Sequence, residues 1–270
     1  MERIKAYAKI NLTLDVLNKR PDGYHELRGI MHTVDIHDTV TVEKSDAVEV
    51  ESTLFLTENS AAGRAAEAYR SLSGCGARIH IEHHIPSEAG LGSASADAAG
   101  VLMGMDRLYH AVNREKLYDI AASVGADVPF CLMQGCALAE GIGEQLTPLP
   151  RMELELLIVK GERGVSTKEL FSSLSLPVEH PDNEAALNAV RSADRRALTK
   201  LAFNSLEAPA SAIRPEIMEY RARLLEHGAQ SAFMTGSGAA VVGIFPSRKA
   251  AEAALPYFED CAFRRVCRTV

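Results

Sequence analysis

The chain has 270 residues, 47% hydrophobic and 24% charged, which is ordinary globular composition and long enough to bury a core without disulfide staples. Its formal charge of −7 repels nucleic acid and anionic membranes, so an anionic ligand must be held by local devices rather than by the overall field. Five cysteines are odd in number and lack zinc-type spacing; Cys131 and Cys136 sit in an apolar run, which favours buried thiols over a metal site, and a reducing cytoplasm fits best.

The first residues enter a patterned strand directly, with no signal-peptide hydrophobic region, and no apolar run approaches the length of a membrane helix. From Ile4 to Val16 the even positions are Ile, Ala, Ala, Ile, Leu, Leu and Val, and the odd ones are mostly polar. Strict alternation predicts a strand with one buried face, which sets Lys9 and Asn11 side by side on the other. Pro21-Asp22-Gly23 predicts a turn. Strands are expected near 30–36, 39–43, 48–53 and 78–85, and a helix at Ala62, Ala65, Ala66, Tyr69 and Leu72. Further helices follow Gly92 and run from an Asn113 cap to Gly125. The chain punctuates at Thr147-Pro148-Leu149-Pro150, which places a boundary between residues 1–150 and 151–270. Beyond it, helices at 184–192 and 216–227 mix with strands near 154–159, 232–234 and 240–245, giving an α+β class.

Pro86-Ser87-Glu88-Ala89-Gly90-Leu91-Gly92-Ser93-Ala94-Ser95 joins a strand to a helix. Two glycines and several small residues let backbone N–H groups close on an anion, and the helix start adds its positive dipole end. The loop lacks the Gly-Lys-Ser/Thr of a Walker A sequence and the third glycine of a dinucleotide fingerprint. A tight turn with close packing explains it equally well when it is taken alone. His80, Glu82 and His84 share one strand face, where a polar edge strand accounts for them better than a metal does.

Pro-x-x-x-Gly-Leu-Gly-Ser resembles the ATP loop of the galactokinase, homoserine kinase, mevalonate kinase and phosphomevalonate kinase (GHMP) superfamily. Gly125-Ala126-Asp127-Val128-Pro129 resembles the stretch that carries the catalytic aspartate in the diphosphocytidyl-methylerythritol kinase branch, and Thr235-Gly236-Ser237-Gly238-Ala239 the superfamily's C-terminal glycine motif. Ala8-Lys9-Ile10-Asn11-Leu12 followed by Arg20-Pro21-Asp22-Gly23-Tyr24-His25-Glu26-Leu27 is similar to the diphosphocytidyl-methylerythritol kinase branch. Ala139–Glu144 and Gly164-Val165-Ser166-Thr167 match that branch too, so the likeness runs in order from residue 8 to about 245.

The resemblance implies a two-domain kinase with a ribosomal-protein-S5-like N-terminal domain, a ferredoxin-like C-terminal domain and an active site in the cleft between them. It implies ATP and Mg2+, with Ser95 a candidate for the metal, and transfer to the 2-hydroxyl of a cytidine-diphosphate derivative of methylerythritol in isoprenoid-precursor synthesis. Asp127 is then the general base and Lys9 its partner. Nucleotide contacts carry over to Pro86 through Ser95, Ala96, Asp97, Asn59 and His83. Asn11, Thr235, Gly236, Ser237 and Gly238 carry over as substrate contacts, and Thr167 as a diphosphate contact. Tyr24 and Phe171 are expected to stack the cytosine while His25 reads its polar edge; a core residue of a short helix is the plainer reading of Phe171. Partners are the substrate and ATP, with no nucleic acid and no membrane, in a cytoplasmic monomer or weak homodimer. Ala89, Ser93 and Ala94 stand where the family commonly has glycine, and their side chains narrow the backbone's approach to phosphate; serine and alanine are small, so ATP binding is expected to be retained, with room for a change in affinity. Tyr24-His25 argues against another superfamily kinase, and retention of both Lys9 and Asp127 argues against a non-catalytic ligand sensor.

Overall fold

Alternation in the first segment produces strand β1 (Glu2–Lys19), with Ile4, Ala6, Ala8, Ile10, Leu12, Leu14 and Val16 all buried. The structure, a computed structural model, describes residues 1–54, 59–174, 180 and 182–270. After the turn, one long strand β2 (His25–Ser45) replaces the two expected pieces, and β3 (Val48–Ser52) follows. Then come α1 (Ala61–Ser73), β4 (Gly76–Glu82), α2 (Ser93–Tyr109), α3 (Arg114–Val124) and α4 (Val128–Met133). The chain continues through β5 (Cys136–Gly141), β6 (Gln145–Leu149), β7 (Glu155–Lys160), α5 (Thr167–Ser173), α6 (Asn183–Arg191) and α7 (Arg195–Leu201). It ends with β8 (Phe203–Asn204), α8 (Glu207–Ile213), α9 (Glu216–Glu226), β9 (Ser231–Met234), β10 (Val241–Phe245), α10 (Arg248–Ala254), a 3-10 turn (Leu255–Phe258) and β11 (Phe263–Arg268).

Two compact units share this chain, and neither is one continuous stretch. The first comprises 1–8, 36–85 and 92–134; the second comprises 9–35, 86–91 and 135–270. In the first, β4 lies between the C-terminal half of β2, antiparallel, and β3, parallel. It is therefore not the edge strand expected for His80, Glu82 and His84; His80 and Glu82 lie on its more exposed face, and His84 falls beyond its end. Helix α1 starts on the Ser60 hydroxyl, which accepts from Gly63 N, and α3 starts on Asn113, which accepts from Lys116 N. Helix α2 lies close against the strands because it carries glycine where a Cβ at position 100 would come 2.8 Å from a Val40 methyl.

In the second unit, the N-terminal half of β2 pairs with β5, and β5 pairs with β6. The segment read as a break at 147–150 thus contributes to a strand; Pro148 is tolerated because β6 has a partner on one side only. A separate antiparallel sheet has the order β11-β7-β10-β9, which is 4-1-3-2 in sequence and matches the expected ferredoxin-like pattern. Its apolar faces join Leu157, Val159, Val241 and Phe245 to Leu224 of α9 and Ala251 of α10.

The one-face expectation for β1 fails from Lys9 onward, since Lys9, Asn11, Thr13 and Asp15 are also buried. Each has a polar partner within the second unit. Lys9 Nζ donates to Asn11 Oδ1 (2.7 Å), Thr13 Oγ1 accepts from Ile30 N (3.1 Å), and Asp15 accepts from Asn183 Nδ2 (2.8 Å). A polar residue tolerates burial when it is bonded in this way, and periodicity alone does not register such bonds.

His32 is a buried imidazole with both nitrogens engaged. Its Nδ1 donates to Thr33 O (2.9 Å), while Nε2 accepts from Met152 N (3.1 Å). Burial, opposed by the Thr33 bond and assisted by Arg151, pulls its pKa from 6.5 down to about 4. The unfolded chain therefore binds the proton first as pH falls, and protonating Nε2 would face it against an N–H. The associated stability is complete above about pH 6.5 and is lost as pH falls towards 4, roughly 3 kcal/mol in total. Thermal unfolding at pH 7 and pH 5 should show a larger drop for the parent than for His32→Gln. Equal drops would place the linkage elsewhere.

Candidate active site

The glycine loop passes from one unit into the other along the chain, so its two ends are described separately. In the second unit, Pro86–Leu91 is held by two partners. Lys9 N donates to Leu91 O (3.0 Å), tying the loop to β1. Ala239 N donates to Glu88 O (3.1 Å) and Ala240 N to Ala89 O (3.2 Å), tying it to the turn after β9. Gly90, at φ +72°, packs directly on this turn: a Cβ there would overlap the Thr235 carbonyl oxygen. Asn11 N in turn donates to Thr235 Oγ1 (2.9 Å), and Thr235 is fully buried. The structure therefore gathers Lys9, Asn11, the first half of the glycine loop and Thr235–Ala239 into one cluster.

Asn204 fixes the turn, and nothing in the sequence pattern marks it. Its Nδ2 donates to Met234 O and Gly236 O, both at 2.8 Å, while its Oδ1 accepts from Leu206 N (2.9 Å). A two-residue strand, β8, carries it beside β1, too short to give a periodic signal.

Thr167 begins α5, just after its Ser166 cap, and its hydroxyl shares a 2.6 Å hydrogen bond with that of Ser237. Two segments about seventy residues apart thus meet through their hydroxyls. His25 and Phe171 lie with ring centroids 5.1 Å apart, tilted at 34°. Burial, with Lys19 nearby, lowers the His25 pKa, favouring a neutral ring that can both donate and accept. Phe171 also packs against the apolar cluster of this unit, so the plainer reading of it as a core side chain holds in part. Tyr24 is 59% exposed; its backbone closes the turn, with its N–H donating to Asp22 Oδ1 (3.1 Å).

In the first unit, Gly92 adopts φ +73° and precedes the 17 residues of α2, whose first turn carries Ser93, Ala94 and Ser95. Ala96 is buried on the same helix. Asp127 is half buried at the head of α4, with Pro129 in the first turn, and its side chain does not cap that helix. Asn59 precedes α1, and its carbonyl accepts from Arg64 Nη1 (2.7 Å).

His83 and Asp97 turn towards Asp38, a residue the sequence reading passed over. Asp38 Oδ1 accepts the N–H groups of His84 and Ile85 (the latter at 2.7 Å), which fixes the end of β4 ahead of the loop. Asp38 Oδ2 faces His83 Nδ1 (3.4 Å) and Ser93 Oγ (3.3 Å). Burial, with the Asp38 carboxylate next, pushes the Asp97 pKa up to about 9. His80 and His84 are exposed, and His84 joins this group only through its main-chain N–H. Cys131 and Cys136, the expected buried thiols, are buried, as is Cys267, whereas Cys75 and Cys261 are only partly covered.

Comparison with known proteins places these features in context. Family models described as GHMP kinases N terminal domain and GHMP kinases C terminal match residues 60–135 and 183–261. A 4-diphosphocytidyl-2-C-methyl-D-erythritol kinase of Lachnoclostridium phytofermentans is 39% identical over 262 residues, covering 93% of this chain and 90% of the relative. The protein of the same name in Carboxydothermus hydrogenoformans is 40% identical over 259 residues, covering 92% and 90%. A crystal structure of a 4-(cytidine 5'-diphospho)-2C-methyl-D-erythritol kinase superposes with a TM-score of 0.86 at 31% identity, covering 99% of both chains. No described helix is long and apolar enough to cross a membrane.

Proposed function

We infer the reaction from one premise: this chain belongs to the 4-diphosphocytidyl-2-C-methyl-D-erythritol kinases, a branch of the GHMP kinases. It transfers the terminal phosphoryl group of ATP to the 2-hydroxyl of 4-diphosphocytidyl-2-C-methyl-D-erythritol, a step of the non-mevalonate route to isoprenoid precursors. The observation that carries this reading is the glycine loop, bonded through Leu91 O to the strand of Lys9 and Asn11 and through Glu88 O and Ala89 O to the Thr235–Ala239 turn.

Phosphoryl transfer asks the protein for positioning and charge stabilisation. Backbone N–H groups of the loop and the N-terminus of α2 hold the nucleotide phosphates. The Asp127 carboxylate takes the proton of the acceptor hydroxyl, whose oxygen bonds to the terminal phosphorus as ADP leaves. The Lys9 ammonium offsets the negative charge that develops on the acceptor. Asn11 and the Thr167–Ser237 hydroxyl pair bind the substrate. His83 and Asp97 remain nucleotide contacts in this reading, with the His83 ring beside the carboxylates of Asp38 and Asp97. Ser95, half buried in the first turn of α2, offers the neutral hard oxygen that suits magnesium, an ion that takes its remaining ligands from phosphate and water. Bound with ATP, magnesium supplies charge neutralisation at the phosphates.

We assign residues 1–150 to the ATP-binding and catalytic part and 151–270 to the C-terminal part; one family-model match falls in each. A cytoplasmic monomer or weak homodimer completes the proposal. Turnover of the purified protein with the cytidine substrate, ATP and Mg2+, set against mevalonate and homoserine, tests it. Faster phosphorylation of either competitor would reject the branch.

Cytosine recognition gives a second test. Stacking a base on an aromatic ring contributes on the order of 1–3 kcal/mol, and a polar edge left without its partner costs a comparable amount. Tyr24→Ala and His25→Ala should each raise KM for the cytidine substrate roughly ten- to a hundred-fold while leaving KM for ATP near its original value. Steady-state kinetics with each substrate varied in turn reads this out, and unchanged constants in both variants would remove the clamp.

A further inference from the structure

We propose that Asp38, His83 and Asp97 form a binding site for a divalent transition-metal ion of the zinc class, separate from the magnesium that accompanies ATP. The three side chains offer one imidazole nitrogen and two carboxylate oxygens, all within 4.8 Å of one another. His83 Nδ1 lies 3.4 Å from Asp38 Oδ2 and 3.6 Å from Asp97 Oδ2. Ligand atoms bonded tetrahedrally to an ion at about 2.0–2.1 Å stand about 3.3–3.4 Å apart, and both histidine-to-carboxylate distances are already near this spacing.

A second, independent feature points to a missing ligand. Asp97 is only 4% exposed, and its Oδ1 has no hydrogen-bond partner. A buried carboxylate oxygen without a donor is costly, and native structures resolve that cost with a partner, an ordered water or an ion. A divalent cation also offsets the charge of two adjacent carboxylates in the same pocket.

The supporting shell is present as well. Asp38 spends Oδ1 on the N–H groups of His84 and Ile85, which fixes its carboxylate and leaves Oδ2 turned to the cluster. Ser93 Oγ, 3.3 Å from that Oδ2, stands ready as a fourth, neutral oxygen. Magnesium is a poor occupant, because it demands octahedral geometry and keeps several waters, whereas these three side chains are nearly closed to solvent. Imidazole with carboxylate in a compact, low-coordination group suits zinc, iron(II) or cobalt(II). The ion would clamp the end of β4 to the first turn of α2 and so hold the two segments that flank the glycine loop.

The test uses the full chain, treated with a chelator and then dialysed against buffer containing excess Mg2+ and no nucleotide. Co2+ titration should show one ion per chain with the visible absorption of low-coordinate cobalt, Zn2+ should displace it, and thermal stability should rise with either metal. His83→Gln should weaken Co2+ binding roughly 100-fold or more, and Asp97→Asn should do the same if the glutamine variant folds poorly. Failure of the parent protein to bind Co2+ or Zn2+, displacement by Mg2+, or undiminished binding in a folded variant would overturn the proposal. None of these readings depends on turnover, so the kinase assignment stands or falls separately.

Discussion

Asp127→Asn should lower kcat roughly 10²–10⁴-fold while leaving affinity for a non-hydrolysable ATP analogue nearly unchanged. The substitution keeps the shape of the side chain and removes its negative charge and its capacity to take a proton. Asp127 heads α4 without capping it by a side-chain bond, so the exchange does not strip the helix of a cap. Helix α4 instead starts on Pro129, whose fixed φ suits a first turn, and on the Asp127 carbonyl, which accepts from Cys131 N (3.0 Å) and which asparagine retains. Lys9→Ala should lower kcat similarly but also reduce stability, because a buried stem is lost and Asn11 Oδ1 loses the ammonium that donates to it. Single-turnover kinetics beside calorimetric titration separates the two effects. Near-parental turnover in folded Asp127→Asn protein would remove it as the base.

Elements whose burial repeats with a fixed period were legible in the sequence. The even residues of β1, the Asn113 cap of α3 and the buried positions Leu117, Ile120, Ala121 and Val124 all follow from spacing and capping chemistry. What spacing could not show was burial secured by specific partners. The polar face of β1 reads as solvent-facing until Asn11 meets Thr235 and Asp15 meets His180 (2.7 Å), contacts that cross more than 160 positions. Asp38 was missed for the same reason: one carboxylate in a strand carries no pattern, and its role rests on backbone groups at His84 and Ile85. Leu72 shows the converse, since it fits the apolar stripe of α1 yet is 57% exposed at the helix's last turn. In the candidate site, the glycine loop carries its own local chemistry, whereas Lys9 and the Thr235–Ala239 motif were legible only through the family resemblance. Asn204, which orders one of those motifs, was not, because its function is defined wholly by the carbonyls it finds.

Gly90→Ala should abolish measurable ATP binding and cost clearly more stability than Gly74→Ala, and the comparison isolates what the loop packs against. Both glycines sit at φ +72°, a left-handed conformation in which alanine is strained by roughly 1 kcal/mol. Gly74 ends α1, and a Cβ there meets nothing within 4 Å, so strain is the whole cost. At Gly90 the added carbon would overlap the Thr235 carbonyl oxygen and lie 2.8 Å from the Thr235 carbonyl carbon and 3.1 Å from Gly238 N. These are backbone atoms and cannot rotate aside as a side chain can. The loop or the turn must move, and both are anchored: Thr235 Oγ1 accepts from Asn11 N, and Asn204 bonds the carbonyls of Met234 and Gly236. Separating them breaks the bonds of Glu88 O to Ala239 N and of Ala89 O to Ala240 N, which hold the loop's main chain in place. Three or four disturbed contacts of about 1 kcal/mol each put the loss for Gly90→Ala at roughly 3–5 kcal/mol. Chemical denaturation of the two variants, with analogue titration below the unfolding transition, measures both quantities. If Gly90→Ala matches Gly74→Ala in stability and keeps its affinity for the analogue, the Thr235 turn does not set the shape of the phosphate loop.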